Sequence, residues 1–129
     1  MKQLGPGYRG VVARRRIGAG EMALSVDVRF LITVEMGKRT SVGRQMSSAL
    51  PPLELSAAKH CFTAVFLLQD MEKPDSFFRP YYEMLPRSFS SVPVFWGPDQ
   101  LSWLRGSFVQ QQVLDRRSNI AADYDEICR

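Results

Sequence analysis

The chain has 129 residues, 45% hydrophobic and 23% charged, the profile of one folded domain of modest size and not of a disordered segment. Two cysteines, Cys61 and Cys128, and a single histidine, His60, provide no disulfide framework and speak against a zinc site of Cys and His ligands. The net charge of +4 is uneven: residues 1–50 hold nine Lys/Arg against three Asp/Glu, and residues 51–129 hold eight against ten.

After a glycine-rich start, Val11-Val-Ala13 reads as a short strand. Gly18 and Gly20 mark a turn, Glu21–Val26 reads as a second strand antiparallel to the first, and Phe30–Thr33 as a third extended piece. The first third is therefore expected to be a small β-meander with a basic turn. Glu35–Pro52 is polar and rich in Gly, Ser and Arg, and is expected to be a loop with at most one helical turn. From Leu53 to Glu72 the apolar residues Leu55, Ala58, Phe62, Val65, Phe66, Leu68 and Met71 follow helical spacing. The middle of this segment is apolar almost all round, which predicts a substantially buried helix.

Pro74 stops that helix and opens the densest aromatic block of the chain. Phe77, Phe78, Tyr81 and Tyr82 lie between Pro74 and Pro86, with Pro80 inside. Each ring offers a large apolar area and each proline fixes chain direction, so the block has a rigid job; packing of neighbouring helices is the expected one. Tyr81–Leu85 reads as a short helix after Pro80, and Pro86–Pro98 as irregular. A short helix is expected over Asp99–Arg105, ending at Gly106. Ser107 with Gln110 three residues on forms a capping-box pattern for a last helix, whose stripe is Val109, Val113, Ile120, Tyr124 and Ile127. Strands first and helices after give an α+β fold.

Chemistry is sparse along the chain. His60 and Cys61 are adjacent, but neighbours on a helix point apart, whereas a nucleophile and its base must converge; they read as a satisfied histidine and a buried cysteine. Asp123, Asp125 and Glu126 read as a solvated face, since the spacing of a calcium loop is absent. Arg14–Arg16 read first as solvated charge, because a nucleic-acid patch wants more basic residues interleaved with exposed rings. Gly5-Pro-Gly-Tyr-Arg-Gly10 could let a ligand approach the backbone closely. It has no Walker lysine and does not join a strand to a helix, so a frayed terminus and a ligand loop stand level.

Gly7-Tyr-Arg-Gly-Val-Val-Ala13, Ile17-Gly-Ala-Gly-Glu21, Leu24-Ser-Val26 and Leu31-Ile-Thr33 together resemble the opening of a SET domain. The helix around Phe62–Leu68, the block Asp75–Pro86, Phe95-Trp96, Leu101–Ser107 and the final helix resemble the class with a long helical insertion in that domain. That class includes the Rubisco large-subunit lysine methyltransferases and the actin-histidine methyltransferase. The resemblance spans nearly the whole chain. It implies one incomplete SET domain: residues 1–33 as N-terminal β-strands with the glycine loop, and residues 34–129 as part of the helical insertion.

What the resemblance implies for function follows from the same residues. The parent would be an S-adenosyl-L-methionine-dependent protein methyltransferase acting on lysine, ahead of histidine, in a protein substrate. Gly7, Tyr8, Arg9 and Gly10 would bind the cofactor largely through main-chain groups, with Tyr8 standing where the family places its first glycine. The family's Asn-His motif and late catalytic tyrosine have no counterpart; no Asn-His dipeptide occurs, and Tyr81, Tyr82 and Tyr124 belong to the insertion. The chain is thus expected to be a fragment, inactive alone, with no catalytic residue and no metal. The alternative is a catalytically inactive peptide-binding or regulatory fragment. The start lacks a signal-peptide core and no apolar run reaches the ~20 residues of a membrane span, so a soluble intracellular protein of the cytoplasm or nucleus is expected, without a membrane or nucleic-acid partner.

Overall fold

A computed structural model describes residues 2–5 and 8–129 of the chain, which divides into two units, Met1–Leu31 and Ile32–Arg129. In the first unit, strand β1 (Lys2–Gly5) pairs antiparallel with β2 (Tyr8–Gly10), with Lys2 opposite Gly10 and Gln3 opposite Arg9. The pairing is irregular between Gln3 and Gly5. Gly20 takes φ +77° in the turn that the glycines mark, a conformation open to glycine. The Glu21 N–H donates to the Gly18 carbonyl at 3.1 Å, and the Glu21 carboxylate accepts from the Gly18 N–H at 3.0 Å. Asp27 caps a 3-10 turn over Val28–Phe30 by accepting from the Arg29 N–H at 3.0 Å.

The expected β-meander is not present. Val11–Ala13, Glu21–Val26 and Leu31–Thr33 form no strand, Phe30 ends the 3-10 turn, and the chain is mostly helical. The α+β reading with a meander is thereby overturned. The reason is physical: the alternating pattern makes Glu21–Val26 able to form a strand, but a strand is stabilised only by a paired neighbour. Among the described residues none lies beside it.

The second unit opens with two helices where a loop was expected, α1 (Val34–Arg39) and α2 (Ser41–Ser48). Thr40 joins them. Its hydroxyl donates to the Gly37 carbonyl at 2.7 Å and accepts from the Gly43 N–H at 2.9 Å, closing one helix and capping the next. Gly37 and Gly43 look like loop residues in the sequence, yet both are sites of close approach. A Cβ on Gly37 would run into the Phe62 carbonyl of the third helix, α3 (Ala58–Met71), and one on Gly43 into the Gly37 carbonyl.

Helix α3 (Ala58–Met71) buries Phe66 and Asp70, but Leu68 is 69% exposed, so burial is confined to one face. The core of the unit forms where Phe66 meets Phe78 and Tyr82 of the aromatic block, with Ile32, Met36, Leu67 and Leu85 packed around them. The Phe66 and Phe78 rings meet edge to face at 5.9 Å, a favoured arrangement. The short helix of this block is α4 (Arg79–Tyr82), with Pro80 in its first turn and Tyr82 buried; residues 83–84 continue only as a turn.

Pro86–Pro98 is irregular apart from a 3-10 turn over Pro93–Phe95. Arg117 secures that turn: its Nε donates to the Val94 carbonyl at 2.8 Å and Nη2 to those of Pro93 and Trp96. Helix α5 (Pro98–Ser102) follows, then Gly106 at φ +80° reverses the chain into α6 (Phe108–Cys128). Ser107 caps α6, accepting from the Gln110 N–H at 3.3 Å. Of the predicted stripe on α6, Val113 is buried while Val109, Ile120 and Tyr124 are exposed.

Gly37→Ala is expected to destabilise the helical unit by about 1–3 kcal/mol, because backbone must move to admit the methyl group. Gly97→Ala, where open space surrounds the position, should change stability by less than about 0.5 kcal/mol. Urea denaturation followed by helical circular dichroism compares the two.

Candidate functional site

Of the four residues assigned to a cofactor, Gly7 lies outside the described residues. Tyr8, Arg9 and Gly10 make up β2. The sheet has two strands, so one edge of β2 meets no other strand among the described residues. Main-chain groups of an antiparallel strand point alternately to each side, so that edge offers N–H and C=O groups to a ligand. Gly10 adds no side chain and is half-buried.

The basic turn is partly neutralised. Arg15 pairs with Glu21 at 2.5 Å and Arg29 with Asp27 at 3.4 Å, whereas Arg14 and Arg16 are exposed.

In the helical unit the polar side chains converge on two buried carboxylates. Asp70 accepts from the Ser76 hydroxyl at 2.5 Å, the Tyr82 hydroxyl at 2.8 Å and Lys73 Nζ at 3.1 Å. Burial works against ionisation of Asp70, but the bonds from Ser76, Tyr82 and Lys73 outweigh it and hold its pKa below the usual carboxylate value. Tyr82 is pushed up to about 12, first by burial and then by the adjacent Asp70. Asp123, expected on a solvated face, is buried instead. It accepts from the Ser56 N–H at 2.6 Å, the Ser56 hydroxyl at 2.8 Å and the Cys61 thiol at 3.5 Å. Burial again opposes its charge, and these donors again win, leaving its pKa lowered. Cys61 is raised, by burial first and then by Asp123.

These clusters are ties and not catalytic centres. A carboxylate held below its usual range is a poor base, so the hydroxyls and the thiol keep their protons. Cys61 turns to Asp123 while His60 is exposed, so the adjacent pair forms no nucleophile and base. No group of three or more His, Cys, Asp or Glu among the described residues could hold a metal ion. Among the described residues no helix is long and apolar enough to cross a membrane. Sequence reasoning missed both carboxylates: Asp123 meets Ser56 and Cys61 across 67 and 62 positions, and no local pattern carries such a contact.

The unit also has open clefts. One of about 430 Å³ lies beside Asp70, lined by Met36, Arg39, Ser41, Phe66, Gln69 and Lys73. Another of about 380 Å³ is bounded by Met46, Leu50, Pro51, Leu53, Ile127 and Arg129.

No protein-family model and no solved structure matches the chain. Among curated proteins it is similar to the ribulose-1,5 bisphosphate carboxylase/oxygenase large subunit N-methyltransferase of Nicotiana tabacum, 25% identical over 118 residues, covering 92% of this chain and 22% of that protein. It is 32% identical over 115 residues to the [fructose-bisphosphate aldolase]-lysine N-methyltransferase of Arabidopsis thaliana, covering 89% of this chain and 22% of the relative. It is 30% identical over 115 residues to human actin-histidine N-methyltransferase, covering 89% of this chain and 19% of the relative. These relatives are protein methyltransferases, and the chain spans about a fifth of their length.

The Tyr82–Asp70 bond carries a pH signature. A tyrosine whose folded pKa is raised contributes stability that is complete below its unfolded value of 10.0 and is lost as pH climbs toward about 12. Asp70 and Asp123, both lowered, contribute stability above 3.8 that disappears as pH falls below it. Thermal unfolding should therefore weaken at both extremes. Tyr82→Phe should cost about 1–3 kcal/mol at neutral pH, as loss of a hydrogen bond to a charged group does, and should flatten the alkaline limb.

Proposed function

We propose that this chain is part of an S-adenosyl-L-methionine-dependent protein methyltransferase that modifies lysine, ahead of histidine, in a protein substrate. The observation that carries the reading is similarity over about nine-tenths of the chain to enzymes named for methylating three different proteins. Both acceptors occur in those names, lysine for the aldolase enzyme and histidine for the actin enzyme.

When bound, S-adenosylmethionine supplies an electrophilic methyl group. The chain's own part is to bind and position. Gly7, Tyr8, Arg9 and Gly10 are the cofactor loop in this reading, and the open edge of β2 supports recognition through main-chain groups. Such recognition needs no particular side chain at position 8, which accommodates Tyr8 in place of glycine. The helices after Ile32 would form one wall of the groove for the substrate protein. Alignment of the acceptor nitrogen with the methyl group is the main source of rate in a transfer of this type. The residues that complete it are not in this chain, so the chain alone is inactive in methyl transfer.

A second reading, a peptide-binding or regulatory fragment without catalysis, is favoured by one observation: the hydroxyls of Ser56, Ser76 and Tyr82 and the Cys61 thiol are tied to carboxylates that are weak bases. Cofactor binding separates the two. Calorimetry with S-adenosyl-L-methionine should give saturable heat, and Gly10→Val should weaken binding at least about tenfold by obstructing the backbone edge. Arg14→Ala should leave it unchanged. No binding by the unaltered chain would overturn the assignment of the loop and leave the second reading.

A further inference from the structure

We draw no further inference here: the strongest candidate, the open cleft beside Asp70 that Arg39, Ser41, Gln69 and Lys73 line between the first and third helices, carries nothing, because Lys73 is already paired with Asp70 and nothing in the structure shows what covers this surface in a chain that spans about a fifth of the length of its relatives.

Discussion

The helical unit depends on the carboxylate of Asp70. It sits at the end of α3, is buried, and gathers a serine, a tyrosine and a lysine from the next twelve residues. The Ser76 hydroxyl that it holds accepts in turn from the Phe78 N–H at 3.1 Å, so the chain is bent back at the point where the aromatic block begins. Phe78 and Tyr82 are thereby presented to Phe66 one turn earlier on α3. The core exists where it does because a charge is placed beside it and fully satisfied.

This arrangement suits a domain with little to bury. Among the described residues no side chain is sequestered to the last few per cent, and the buried apolar set is Met46, Phe66, Phe78, Tyr82, Leu101 and Val113. With so small a core, orientation falls to long-range polar ties. Asp123 fastens α6 to the residues leading into α3, and Arg117 fastens the Pro93–Phe95 turn to α6. Each tie uses one side chain on a helix to satisfy backbone or hydroxyl groups of an irregular segment, which would otherwise need water or a ladder of its own.

What could be read from sequence follows the range of the forces involved. Pro74 and Pro80, Ser107 as the cap of α6, and Gly20 and Gly106 act within a few residues, and each does in the structure what its local chemistry dictates, whereas the Ser107 N–H that a capping box would give to the Gln110 side chain donates to the Leu104 carbonyl. Gly37 and Gly43 were misread because a glycine needed for contact between helices looks the same in sequence as one needed for a loop. Glu21–Val26 was misread because its alternation records a capacity for pairing and not the presence of a partner. Asp123 was misread because its donors lie more than sixty residues away. For the candidate site, the glycine loop rests on the resemblance alone, since a short glycine run by itself does not separate a ligand contact from a terminus. The comparisons support only its coarser part, similarity to protein methyltransferases.

The grip of Arg117 on the Trp96 carbonyl has an optical consequence. Trp96 and Trp103 are the two tryptophans of the chain, their rings meet at 6.2 Å, and the Trp96 indole N–H is anchored to the Ser90 carbonyl at 2.8 Å. A sliding or rotation of α6 would pull on Trp96 through the guanidinium and alter the coupling and polarity of both indoles. The chain's intrinsic emission is therefore a gauge of where its longest helix sits, and events anywhere along α6 are readable without a label.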